Sequence, residues 1–517
     1  MKAIGQAPST LVAPRAASRR ALALAVLGLA CALGPALFMW GFTVDDALIS
    51  ARYAVNLASG AGYRFAAAGP ATDGVTPLPW PLLLAALAHL PGAGGAPLAV
   101  TILTRAKALG VALGALGGAR LGWALSGTRA PLGHAAAALL VCALSVPLAA
   151  HSASGMETSL ATCLLTFAAT SRRALARGAL AGLAASLRPE LLPWALTLAA
   201  LSVQRGPRGS SPRARAAARA AARALAGAVV AAATPFALCV VARLVAFGRP
   251  APLALLAKPS DVAHGLPYAA AALIASLTPL LVVAPSAARG ARRGVGARGR
   301  ALVVAACVHA GVIVAVGGDW MPYARLMAPL VPGLAFAACA ILPGAGPRVG
   351  RARAWSIVRL VVAAGLGVVL FAGTAPRGRG VWRDRLALIA RARPELAGAR
   401  GVAALDIGWV SAATDAPLLD LAGLTDPELA ALPGGHTSKR VATSLLLDRG
   451  VDVALVYTTA GGMPAPGASQ VVGARGVEAR LVGSELFARR YAPSAFVRLG
   501  DAGAGYVVYR RVPEKSE

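Results

Sequence analysis

Residues 19–46 read RRALALAVLGLACALGPALFMWGFTVDD. An arginine pair precedes about twenty apolar residues, and two adjacent aspartates follow them. At about 1.5 Å of rise per residue, such a run crosses a bilayer core of roughly 30 Å as one helix. The arginines predict a cytoplasmic N-terminus, so 21–41 crosses outward and Asp45-Asp46 emerge on the far side. Cys31 ends a stretch that resembles a secretory signal. Gly28 stands where a lipoprotein signal needs a large aliphatic residue, so an uncleaved first span is the simpler reading.

Outward from this stretch, the 517-residue chain is 57% hydrophobic, with a mean hydropathy of +0.65. Apolar runs recur at 77–90, 98–125, 132–150, 157–170, 178–203, 224–246, 267–287, 301–316, 326–344 and 358–375. They predict a mainly α chain, with a polytopic transmembrane bundle of about eleven spans over 1–375. Residues 43–76 form its first external loop. Arginine tracts at 15–20, 205–223, 289–300 and 348–359 fall inside, while 247–266 and 317–325 fall outside, as the positive-inside rule requires. Counting each run once puts Arg172-Arg173 outside, against that rule, so a run within 91–203 is re-entrant or is split at Pro189. Segment 204–223 reads as a cytoplasmic linker.

The tail, 376–517, changes character. Short β-like segments (402–406, 418–421, 453–457, 506–510) alternate with helical ones (382–393, 426–432, 438–449), which predicts a small soluble α/β domain. After an odd number of crossings this domain lies outside.

A formal net charge of +30 invites a nucleic-acid reading. The positive charge, however, sits in short tracts between apolar runs, with no interleaved aromatic residues to stack on bases, which argues against nucleic acid. The six cysteines lie singly in apolar runs and outside the tail, so neither a disulfide framework nor a zinc site is supported. The six histidines have no ligand spacing.

Acids are scarce where hydrocarbon is near. Only seven occur in the first 375 positions: Asp45, Asp46, Asp73, Glu157, Glu190, Asp261 and Asp319. A carboxylate at a membrane helix centre costs roughly 2.5–3.5 kcal/mol on insertion scales, so those kept at span ends mark a reaction centre at the membrane surface. Asp45 and Asp46 follow the first span and open a short helix whose dipole favours negative charge at that end. Asp46, Ile49 and Tyr53 share one face of it.

The stretch from Asp45 to Phe65, DDALISARYAVNLASGAGYRF, and then Asp73-Gly-Val-Thr-Pro-Leu-Pro-Trp80, resemble the first external loop of the GT-C glycosyltransferases. The likeness is nearest to the mycobacterial terminal arabinofuranosyltransferases and their bacterial homologues. Further matches follow in the family's order: Ser154-Gly-Met-Glu157-Thr, Leu187-Arg-Pro-Glu190, Ala257-Lys258-Pro, and Gly317-Gly-Asp319-Trp-Met-Pro-Tyr-Ala-Arg325. In the tail, Asp406-Ile-Gly408 and the segment from Asp420 to Asp426 also fit. The approach to Lys258 is aliphatic here, Asp73-Gly-Val stands where Glu-Gly with an aromatic is common, and Tyr323-Ala replaces Gly-Tyr before Arg325. The resemblance implies an enzyme of the bacterial inner membrane that takes a sugar from a polyprenyl phosphate and passes it, with inversion, to a periplasmic glycan, lipid or protein acceptor. The tail would then be periplasmic.

The chemistry asks for the same residue types. Transfer to a hydroxyl needs a base near the acceptor oxygen, and the departing phosphate needs cations. Asp45 or Asp46 fits the base, with Asp45 slightly preferred. Lys258 and Arg325 fit the donor phosphate. Arg52, Tyr53, Asp73, Trp80, Asp319 and Trp320 are candidates for substrate binding. Asp319 also suits a divalent ion or pairing with Arg325. Glu157 and Glu190 read as a helix cap and an Arg188 contact. No cofactor is certain beyond the lipid-linked donor. A transporter or flippase for lipid-linked sugars is the alternative, although its ionisable groups would sit nearer the bilayer midplane.

Overall fold

Helix α1 (Pro14–Phe38) and the helix Leu98–Ser126 cross on glycine. A β-carbon on Gly28 would lie 2.1 Å from the Gly118 carbonyl oxygen, and one on Gly118 would lie 2.3 Å from that of Gly28. In a bilayer, where apolar burial between helices drives little, such close backbone approach is what holds helices together. The computed structural model describes residues 14–513 except 68, 92–96, 129, 204–210, 292–296, 342–348, 466–468 and 502.

Among the described residues, five helices are long and apolar enough to cross a membrane: Ser18–Phe38, Leu98–Ser126, Pro212–Phe247, Arg298–Ala315 and Val361–Leu396. The pair Leu132–Ala143 and Val146–Ala153, bent by 57°, makes a sixth if it is one broken span. Among the described residues the candidate spans therefore number five or six, which does not support the expected eleven. Other apolar runs form the shorter helices Pro79–Ala88, Thr158–Thr170, Ala174–Leu187, Pro189–Leu201 and Ala328–Ala340, at most about 21 Å long and short of a core of roughly 30 Å, while the run 267–287 lies in the 30-residue helix Val262–Ala291. The run 77–90 becomes Pro79–Ala88, and 178–203 is divided into Ala174–Leu187 and Pro189–Leu201. Val230, Leu238, Val241 and Val245 of Pro212–Phe247 are exposed, which suits a lipid-facing surface.

Side-chain contacts identify two ends of this bundle. At one, Arg20 donates to the Ala130 carbonyl (2.6 Å), Arg120 to the Thr170 carbonyl (3.2 Å), and Arg177 to the Ser202 hydroxyl. At the other, the fully buried Lys107 donates to the carbonyls of Phe42 (2.5 Å) and Ala153 (2.6 Å). Arg172 sits in the electrostatic field of Arg120 and Arg298, at the end away from Asp45. The count that set Arg172-Arg173 on the side of Asp45 fails before them, because the ten-residue helix Pro79–Ala88 is too short to cross. The split at Pro189 is present between Ala174–Leu187 and Pro189–Leu201, but it follows these arginines.

The tail holds a five-stranded sheet of order β2-β1-β3-β5-β4, with β1 Val402–Ala404, β2 Leu418–Asp420, β3 Val453–Thr458, β4 Tyr491–Arg498 and β5 Gly505–Arg511. Strands β1, β2 and β3 run parallel, while β5 is antiparallel to β3 and β4. Four strands match the sequence expectation and β4 does not. It is an edge strand with Pro493 and a register shift at 493–495, features that weaken the strand signal in sequence. The helices Ile407–Ala413, Gly476–Val482 and Glu485–Arg490 were also unforeseen. The tail is joined to the bundle where the Trp382 N–H donates to the Gly41 carbonyl (2.8 Å), just before Asp45.

Candidate active site

Helix α2 (Asp45–Ala58) begins four residues after that junction, and its first two residues turn to different partners. The Asp45 carboxylate accepts the backbone N–H of Gly408 (2.8 Å) and of Trp409 (3.0 Å), with Arg385 at 3.7 Å. These N–H groups open the helix Ile407–Ala413, so Asp45 caps a helix of the other domain. Burial pushes the Asp45 carboxyl up to about 6, against the pull of Arg385. Both Asp45 oxygens already hold donors, so the geometry favours Asp46 over the slightly preferred Asp45.

Asp46 is half-buried and lines a cavity of about 360 Å³. The walls come from segments far apart in sequence: Ser50 of α2, Glu157, Arg188 and Glu190, Lys258, Asp319 and Arg325, and Leu424 of the tail. Most charges there are matched. Arg325 pairs with Asp319 at 2.7 Å, and Arg188 pairs with Glu157 at 2.8 Å and Glu190 at 2.6 Å. Among the described residues, Asp46 and Lys258 have no ion pair or side-chain hydrogen bond. One anion and one cation are thus left over in a single cavity. Burial raises the Asp319 carboxyl, but Arg325, Lys258 and Arg188 outweigh it and hold the group below the usual carboxylate range.

The loop carrying Asp319 and Arg325 is strained. Tyr323 (φ 61°) and Ala324 (φ 46°) are consecutive non-glycine residues in the left-handed region, each at a cost on the order of 1–2 kcal/mol. Three contacts hold them: Tyr323 hydroxyl donates to the Thr374 carbonyl (2.8 Å), His151 Nε2 meets the Tyr323 carbonyl (3.2 Å), and the Tyr323 ring packs edge-on to Phe42 (5.0 Å). Arg325 thereby lines the charged cavity. Met321, Tyr323 and Ala324 line a second, apolar space of about 380 Å³, together with Val146, Pro147, Tyr268 and Leu370. One loop separates a charged chamber from an apolar one.

Lys107 fixes the approach to this site. Its two acceptors, Phe42 and Ala153, precede Asp45-Asp46 and Glu157 by a few residues, so one buried ammonium ties both wall segments together. Lys107 falls within an apolar run, which conceals this role in the sequence.

Four expected substrate contacts do not line the cavity. Arg52 binds the Phe65 carbonyl (3.3 Å) and Asp415 (3.3 Å), bridging to the tail. Tyr53 is buried, with its hydroxyl on Thr72 (3.1 Å) and on the Gly74 N–H (3.0 Å). Asp73 is buried against Arg243, which also reaches the Thr76 carbonyl (2.7 Å). Trp80 is fully buried in the core. These residues shape the segment 43–80, and the hydrophobic effect together with ion pairing accounts for their burial. Trp320 is 64% exposed and lies beside the cavity, stacked on His264 (4.3 Å) and edge-on to His436 of the tail (5.8 Å). Glu190 makes the expected contact with Arg188, and Glu157 stands at the N-cap position of Thr158–Thr170 but pairs with Arg188 instead of capping through its side chain. All three also line the cavity, which the scarcity of acids could have signalled.

Among the described residues no group of three His, Cys, Asp or Glu side chains is arranged to hold a metal ion. Asp46 and Asp319 are the cavity carboxylates not bound to Arg188.

A family described only as a domain of unknown function matches residues 383–509, within the tail. No curated protein matches the chain.

Proposed function

We propose that this chain is a membrane glycosyltransferase of the GT-C type, transferring a sugar from a polyprenyl phosphate to an acceptor hydroxyl. The observation that carries the reading is the single cavity shared by Asp46, Lys258 and Arg325, in which Asp46 and Lys258 are left unpaired. Asp46 takes the proton of the acceptor hydroxyl as its oxygen attacks the anomeric carbon. The bond from that carbon to the phosphate oxygen breaks on the opposite face, which inverts the centre. The polyprenyl phosphate leaves with the electron pair, and Lys258 and Arg325 take up its charge. The apolar space beside Tyr268 and Ala324 suits the first isoprene units of the donor. Should a divalent ion take part, Asp46 and Asp319 are the cavity carboxylates that would hold it, and it would supply further positive charge for the leaving group.

In this reading the N-terminus is cytoplasmic and the tail periplasmic, in a bacterial inner membrane. The acceptor is a glycan, lipid or protein of the envelope, approaching beside the exposed Trp320.

The test is turnover of the protein in lipid nanodiscs with a panel of polyprenyl-phosphate sugars, with and without chelator, comparing wild type with Asp46→Asn and Asp45→Asn. Loss of 10²-fold or more in Asp46→Asn supports the base. Donor lipid crossing a vesicle bilayer with no glycosidic bond made would replace the enzyme by a flippase.

A further inference from the structure

At the bundle end remote from the cavity, arginines gather without acids. Arg120 donates to the Thr170 hydroxyl (3.0 Å) and carbonyl (3.2 Å). Arg177 donates to the carbonyls of Ser171 and Arg172 (both 3.3 Å) and to the Ser202 hydroxyl. Both guanidinium groups therefore hang on the turn 170–173. Arg298, at the start of the span Arg298–Ala315, is close enough to add its charge to those of Arg172, Arg120 and Arg177. Arg177 is only 3% exposed, and its Nε is buried without a hydrogen-bond partner; the Nε of Arg298 is likewise buried and unpartnered.

No acid of the membrane domain is available to neutralise them. All seven carboxylates of positions 1–375 are placed elsewhere. Asp45 caps the tail helix, and Asp46, Glu157, Glu190 and Asp319 line the cavity. Asp73 is held by Arg243, and Asp261 caps the His264 N–H. The described part of the tail docks at the cavity end, through Asp45 and Leu424. Partly buried like charges repel unless an anion joins them.

We infer that Arg120, Arg172, Arg177 and Arg298 form a binding site for a phosphate-bearing anion, separate from the reaction cavity. Guanidinium forks match phosphate oxygens in geometry, and a water-poor setting strengthens the contact. Two sources carry that chemistry: the phosphodiester of an anionic phospholipid at this membrane surface, and a soluble phosphate or diphosphate.

Native mass spectrometry of the full chain, released from micelles, tests this without any turnover. The protein is titrated with phosphatidylglycerol, with phosphatidylcholine, or with inorganic pyrophosphate. One saturable phosphatidylglycerol, bound at least tenfold tighter than phosphatidylcholine, is expected, and Arg298→Gln should weaken it about tenfold. Arg298→Lys should keep most of the affinity. Removing two charges from the exposed tract of Pro212–Phe247, with Arg213→Gln and Arg219→Gln, should leave it unchanged. Pyrophosphate that displaces the lipid and binds tighter, again lost in Arg298→Gln, supports the site and assigns it to the soluble ligand. Equal binding in every variant, equal loss in the Arg213/Arg219 pair, or no saturable phosphate species at all overturns the proposal. Unchanged thermal unfolding of Arg298→Gln in phosphatidylcholine separates lost binding from lost fold.

Discussion

The Asp45 carboxylate lies 2.8 Å from the backbone nitrogen of Gly408, and a β-carbon on Gly408 would sit 2.2 Å from the Asp45 carbonyl oxygen. This contact joins residues 363 positions apart and sets the tail domain against the wall of the cavity. Gly408→Ala should therefore push the domains apart, at a cost of about 1–3 kcal/mol typical of overpacking. Limited trypsin digestion reads the result: faster cleavage between the bundle and the sheet in the variant. Digestion as slow as wild type would mean that this joint does not hold the domains together.

Adjacent aspartates should fail differently. Asp46→Asn is expected to lose turnover by 10²-fold or more with its thermal unfolding unchanged, since Asp46 has no bonded partner among the described residues. Asp45→Asn gives up a charge-assisted cap beside Arg385, so its main effect is a lower unfolding temperature, by about 1–3 kcal/mol of stability. Melting curves alongside turnover distinguish the two.

The two cavity cations should also separate. Arg325→Gln leaves Asp319 buried without its partner and should lower both stability and turnover. Lys258→Gln strands no acid, so it should raise the KM for the lipid-linked donor while melting as wild type does. A Lys258→Gln variant with unaltered donor KM would remove Lys258 from the phosphate site.

Breaking the buried pair of Asp73 and Arg243 should be severe. Arg243→Ala leaves Asp73 uncompensated, at about 3–5 kcal/mol. Replacing both by apolar residues of similar size should restore most of the loss, as read by thermal unfolding in detergent. No recovery in the double variant would show that the loop needs the ion pair itself.

Asp420 should make the tail more stable in mild acid. It is fully buried, and burial pushes its carboxyl up to about 6, against the N–H groups of Thr425 and Ala422. A folded value above the unfolded one of about 3.9 means the stabilising contribution is complete below pH 3.9 and is lost as pH rises through 6. Its full span is on the order of 3 kcal/mol. Asp420→Asn should flatten the unfolding temperature of the tail between pH 4 and 7 relative to wild type. An unchanged pH profile would contradict this.

Much of the site was legible because hydrocarbon punishes charge. Seven acids in 375 residues are few enough that each one retained carries information, and four of them do line the cavity. Lys258 and Arg325 reached it as expected. The reading went astray where a polar residue had a local structural use. Tyr53, Asp73 and Trp80 look like a substrate shelf in the chain, yet each packs inward against neighbours that no local pattern reveals. The crossing count failed for a related reason: hydropathy registers apolar runs, whereas a span also needs length, and Pro189 cuts one run in two.

From composition and pattern alone came a helical membrane chain, a strand-bearing tail, and the loops where charge gathers, because the energy of moving residues between water and lipid depends mainly on residue type. Folding decided which acid faces the cavity. Successive helical residues point about 100° apart, so only the docking of Gly408 and Trp409 against Asp45 leaves Asp46 to the chamber shared with Lys258.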